Sequence, residues 1–96
     1  MSEFKAIVMK ASDNVATVVE TIEPGTEAIL EIEGQRVIVR VMERIPFGHK
    51  FAVRDIRKGE LVLKYGEPIG VATLDIGAGK YVHVHNVESS RGRGDR

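Results

Sequence analysis

Thr26-Glu-Ala-Ile-Leu-Glu-Ile-Glu-Gly-Gln-Arg-Val-Ile-Val-Arg-Val-Met42 is the stretch that decides the fold class. Residues 26–32 and 36–42 each alternate apolar and polar side chains with period two, the pattern of half-buried strands. A two-residue turn at Glu33-Gly34 sets Glu31 opposite Arg36, Leu30 opposite Val37, Ile29 opposite Ile38, Ala28 opposite Val39 and Glu27 opposite Arg40. Two opposite-charge pairs then flank an Ile pair on one face, while Leu30, Val37, Ala28 and Val39 line the other. Each cross-strand pair contributes roughly 0.2–1 kcal/mol, and a slip of one residue would turn the whole apolar set to solvent. Glu-Gly is weaker turn chemistry than Asn-Gly, so the turn type stays open.

The same pairing accounts for an uneven charge pattern. Residues 13–33 carry Asp13, Glu20, Glu23, Glu27, Glu31 and Glu33 without a Lys or Arg, and residues 34–66 are mainly basic. Such a split can steer an anion or a partner, but cross-strand pairing is the plainer reading. Over the whole chain 14 basic residues cancel 14 acidic ones, which gives no reason to expect nucleic acid or an anionic membrane as partner.

Outward from the hairpin, residues 4–9 read as a strand. Ser12-Asp13-Asn14 offers N-cap chemistry for one short helix over Val15–Thr21, against the propensity of Val15, Thr17, Val18, Val19 and Thr21. A phrase recurs at Thr21-Ile-Glu-Pro-Gly25, Asp55-Ile-Arg-Lys-Gly59 and Asp75-Ile-Gly-Ala-Gly79, each time leading into an apolar run. A buried Ile, a tight turn and a Gly free to take φ > 0 start a strand after a corner. Asp55 and Asp75, at equivalent places, read as turn-forming side chains and not as a catalytic carboxylate pair. The spacing is too uneven for a solenoid. Many short strands joined by Gly and Pro corners predict an all-β fold around one small core.

At 96 residues and 10.6 kDa the chain is one domain with a real core and no room for a large cavity. Apolar residues at 43% against 29% charged exclude wholesale disorder. The absence of cysteine excludes disulfides, thiolate zinc sites and cysteine nucleophiles. No apolar run reaches 18 residues and Met-Ser-Glu-Phe-Lys has no secretory core, so a cytoplasmic protein with no membrane partner is expected.

Ile45-Pro-Phe-Gly-His-Lys-Phe-Ala-Val-Arg-Asp-Ile56, Lys58-Gly59-Glu60, Lys64-Tyr65-Gly66 with Glu67-Pro-Ile-Gly70, and Val82-His-Val-His-Asn-Val87 together resemble the SAF-type N-terminal domain of the altronate and galactarate dehydratase family. Ser12-Asp13-Asn14-Val15-Ala16 resembles that domain's first turn. The resemblance implies a β-clip fold over residues 1–88, followed by a flexible basic tail over residues 89–96. It implies the small subunit of a sugar-acid hydro-lyase, inactive alone and completed by a larger catalytic subunit. The same architecture occurs in sulfolactate sulfo-lyase, and SAF-like domains also occur as non-catalytic binding modules, so a sulfo-lyase small subunit and a non-catalytic carbohydrate-binding module stand as alternatives. A homo-oligomer is also compatible with open strand edges.

The chemistry-bearing residues are few. His83 and His85, two apart on an expected strand, leave the same face and are spaced as two ligands of one transition metal, or simply form a polar edge. A third ligand would come from His49, a carboxylate or another subunit. The family's metal dependence points to a divalent ion, Fe(II) first. His49 and Lys50 follow the Pro46-Phe47-Gly48 corner, which exposes them: His49 reads as an acid–base group and Lys50 as a carboxylate partner, or both as a solvated turn. Lys64 could grip a carboxylate and Tyr65 donate a hydrogen bond to substrate, or Tyr65 could cap the core. In the tail, Arg-Gly-Arg-Gly-Asp read as a nucleic-acid or adhesion motif is coincidental; an extension reaching the larger subunit fits better.

Overall fold

The structure, a computed structural model, describes residues 6–8 and 10–89. Nine strands follow one another: β1 (Ala6–Ile7), β2 (Val15–Val18), β3 (Glu27–Ile32), β4 (Gln35–Arg40), β5 (Lys50–Ala52), β6 (Leu61–Lys64), β7 (Glu67–Ala72), β8 (Tyr81–Val82) and β9 (Val87–Ser89). They form three antiparallel sheets of order β1-β2-β5-β8, β3-β4 and β6-β7-β9. The small all-β domain expected from the corners is therefore present. No helix among the described residues is long and apolar enough to cross a membrane.

The β3–β4 register matches the charge pattern at every pair: Glu31 faces Arg36, Leu30 faces Val37, Ile29 faces Ile38, Ala28 faces Val39 and Glu27 faces Arg40. Ala28, Leu30 and Val39 are buried, whereas Ile38 is 58% exposed between the charges. The open turn type resolves to type I′, because Glu33 and Gly34 both have positive φ, 50° and 81°. Tyr65 and Gly66 make the equivalent turn between β6 and β7, at 56° and 79°.

The repeated corner occurs four times, not three. Ile45-Pro-Phe-Gly48 joins Ile22–Gly25, Ile56–Gly59 and Ile76–Gly79, and each closing glycine has φ between 84° and 92°. Each corner is a type II turn, closed for instance by His49 N–H donating to Pro46 O at 2.9 Å and Lys80 N–H to Gly77 O at 3.0 Å. The corners pair off: Ile22 bridges Ile45, and Ile56 bridges Ile76. The chain thus runs corner, hairpin, corner twice over. Asp55 Oδ1 accepts from Ala78 N–H and Asp75 Oδ1 from Lys58 N–H, so each caps its partner corner. In the first half Thr21 Oγ1 accepts from Phe47 N–H instead. Pro24 has no N–H to offer, and Arg44, at the place of Asp75, pairs with Glu23.

Two apolar clusters result, separated by the central sheet. Successive residues of a strand face opposite ways; Ala16, Phe51 and Tyr81 accordingly belong to the first cluster, and Val15, Ala52 and Val82 to the second.

Two local expectations are corrected. Val15–Thr21 is not a helix; Val15–Val18 is β2, paired with β1 and β5. The β-branched run follows its propensity once two strands offer hydrogen bonds on both sides. The capping chemistry of Asp13 and Asn14 is spent elsewhere. Asp13, 1% exposed, accepts from Lys10, Tyr65 and Gly66 N–H at 3.2, 2.9 and 2.7 Å. Asn14 Oδ1 accepts from Leu63 N–H and its Nδ2 donates to Leu61 O. These two side chains zip the β6–β7 hairpin onto the start of β2. Of the expected strand over residues 4–9, Ala6–Ile7 is β1, while Phe4, Lys5 and Met9 lie outside the described residues. So do residues 90–96 of the expected tail; Ser89 ends β9.

Candidate functional site

The second corner aims His49. Gly48 turns the chain with its N–H donating to Val18 O at 3.1 Å, and β5 begins at Lys50 beside β8. Lys50 faces Val82 and Phe51 faces Tyr81; continued by one residue, the register brings His49 to His83. Their ring centroids lie 4.8 Å apart.

His83 and His85 do not lie on a strand. β8 ends at Val82, and residues 83–86 form a turn closed by Asn86 and Val87 N–H donating to His83 O. Asn86 is responsible: its Oδ1 accepts from His83 N–H at 3.0 Å while its Nδ2 donates to Tyr81 O at 2.8 Å. A buried amide that satisfies two local backbone groups competes with the ladder. Val84, within this turn, projects into solvent at 80% exposure.

Tyr81 links the imidazoles. Its hydroxyl oxygen is 2.6 Å from His49 Nδ1. Its ring stacks on His83 with centroids 5.5 Å apart and planes 6° apart, and meets His85 at 5.5 Å and 51°. Tyr81 is the site residue that the sequence did not single out, because its contact with His49 arises only from the β5–β8 pairing.

On the other side of β5, Lys50 lines a shallow groove of about 250 Å³ with Ile69, Val82, His83, Val84 and Val87. Partial burial, then the charge of Lys64, lowers the Lys50 pKa from its ordinary value. His83 is lowered as well, by desolvation first and then by His49, Lys50 and His85. The fold therefore brings His49, Lys50, His83 and His85 together with Lys64 in electrostatic reach. Tyr65 joins this group through Lys64, whose Nζ lies 5.0 Å from its ring centroid. Two ammonium groups that raise each other's energy are relieved by a shared anion, which is what a carboxylate supplies.

The described residues by themselves do not form a complete metal site. Among the described residues no three His, Cys, Asp or Glu side chains are grouped to hold an ion. The contact of His49 Nδ1 with Tyr81 also removes one donor from any such set.

Residues 4–90 match the altronate/galactarate dehydratase SAF domain. The chain belongs to this family. The SAF domain is 44% identical over 84 residues to altronate dehydratase of Escherichia coli K12, covering 88% of this chain and 16% of that protein. It is 38% identical over 89 residues to (2R)-sulfolactate sulfo-lyase subunit alpha of Chromohalobacter salexigens, covering 88% of this chain and 94% of the relative. Altronate dehydratase of Bacillus subtilis is 33% identical, again matched over 16% of its length. The SAF domain thus spans about a sixth of the dehydratases and nearly all of the sulfo-lyase subunit.

Proposed function

We propose that this SAF domain is the small subunit of a cytoplasmic sugar-acid hydro-lyase of altronate or galactarate type. It would bring His49, Lys50, Lys64, Tyr65, His83 and His85 to the edge of a site that a larger catalytic subunit completes. The observation that carries this reading is the gathering of three imidazoles around Tyr81, of which His83, with the half-buried Lys50, also lines a groove too shallow to enclose a substrate. The dehydratase relatives, in which the matched module is a small part of a long chain, support the same division of labour.

The reaction removes the proton α to a carboxylate and expels the β-hydroxyl as water, leaving an enol that becomes a 2-keto-3-deoxy acid. Lys50 and Lys64 hold the carboxylate; His49 exchanges the proton. A divalent metal, Fe(II) first, stays within the proposal only as a group held chiefly by the larger subunit, and none of these steps depends on it. Reconstitution with a dehydratase-type large subunit tests the reading. His49→Ala should lower kcat by about 10²–10⁴-fold in an intact complex. A rise in KM with kcat unchanged would mark a carbohydrate-binding module without chemistry and refute it.

A second reading is favoured by the near full-length match to a sulfo-lyase subunit alpha. It keeps α-proton removal but expels sulfite. Assaying the same complex for sulfite release from sulfolactate and for keto-acid formation from altronate and galactarate separates the two.

A further inference from the structure

Tyr81 is held more firmly than a surface ring requires. Its N–H donates to Glu43 Oε2 at 3.1 Å, its carbonyl accepts from the buried Asn86 amide at 2.8 Å, and its ring packs against the first apolar cluster. Backbone and ring are thereby fixed before the hydroxyl reaches His49 Nδ1 at 2.6 Å. A neutral imidazole carries one proton, and the partner of one ring nitrogen decides what the other can do.

We propose that Tyr81 is a positioning residue for His49: its hydroxyl oxygen accepts Nδ1–H and leaves Nε2, on the far edge of the ring, as the nitrogen that exchanges a proton with substrate. The proton leaving the α-carbon forms Nε2–H, and the C–H electron pair passes into the enediolate. The Nδ1–H to Oη contact persists in the imidazolium, so the ring holds one orientation through both protonation states. The stack on His83 also limits where that second imidazole can sit. This inference rests on the reading of His49 as the acid–base group, yet its first test is independent of turnover.

That test is ¹⁵N NMR of the imidazole nitrogens in the full 96-residue chain, at a pH where the histidines are neutral. Wild-type His49 should carry its proton on Nδ1, and Tyr81→Phe should shift it towards the ordinarily preferred Nε2–H form, with the His83 and His85 signals retained. A wild-type proton on Nε2, or identical tautomer populations in the two proteins, overturns the proposal. Should the variant fail to fold, the wild-type measurement decides alone. In the reconstituted lyase Tyr81→Phe should lower kcat roughly tenfold, what one hydrogen bond is worth, with KM unchanged. A shifted tautomer with unchanged kcat upholds the positioning contact and overturns the catalytic role of His49.

Discussion

Four corners with the same backbone should not tolerate alanine equally. Gly25, Gly48, Gly59 and Gly79 all have φ near 84–92°. The left-handed conformation costs a residue with a Cβ about 1–2 kcal/mol, partly offset by about 0.4–1 kcal/mol from the stiffer unfolded chain. A Cβ at Gly25, Gly48 or Gly59 meets nothing within 4 Å, so each substitution should cost about 1 kcal/mol net. At Gly79 the Cβ would lie well inside contact distance of the Arg40 carbonyl, with Met42 Cγ at 3.2 Å. Relief means moving the backbone and stretching the bonds from Gly79 N–H to Ala52 O and from Met42 N–H to Gly79 O, 2.7 and 2.9 Å. At about 1 kcal/mol each, these bring Gly79→Ala to about 3 kcal/mol. For a domain of this size that is a fall in melting temperature of about 12–24 °C, against about 4–8 °C for the other three. Thermal unfolding followed by circular dichroism reads this directly. Four equal shifts would refute the inference that the Cβ side of Gly79 abuts the end of β4 while that of the other three glycines is open.

Asp13→Ala should destabilise by about 2–4 kcal/mol through loss of charge-assisted bonds to the Tyr65–Gly66 turn, and hydrogen exchange at those two amides should accelerate. Lys50→Met should raise stability at neutral pH, because the folded state resists the charge. The penalty is fully present below the lowered folded pKa and vanishes as pH rises from that value to 10.5, so melting curves of the two proteins should converge across that window and not in acid. Convergence on lowering the pH would refute the burial of the Lys50 ammonium.

The parts of the fold that could be read in advance are those where one physical rule acts alone. In the central hairpin, period-two alternation and opposite charges agree on a single register, and every pair is found where they put it. At Val15–Val18 a cap signal competed with β-branched side chains, and neighbouring strands decided for the latter. The corner at Ile45–Gly48 escaped notice because Arg44 stands where the other copies carry Thr or Asp. The strand expected through His83 and His85 is broken by Asn86, whose side chain satisfies backbone groups that the ladder would otherwise use. His49, Lys50, His83 and His85 were legible as polar residues at constrained places. Tyr81 was not, since its contact with His49 depends on a β5–β8 pairing that joins residues about thirty positions apart.

The central claim is that this domain completes a site belonging to a larger lyase subunit. Titrating the purified chain into that subunit, with altronate, galactarate and sulfolactate as substrates, tests it most directly. Turnover should be absent from either polypeptide alone and rise to saturation at equal stoichiometry, with His49→Ala binding equally well but failing to restore it. Full turnover by the large subunit alone, or by this chain alone, would contradict the account.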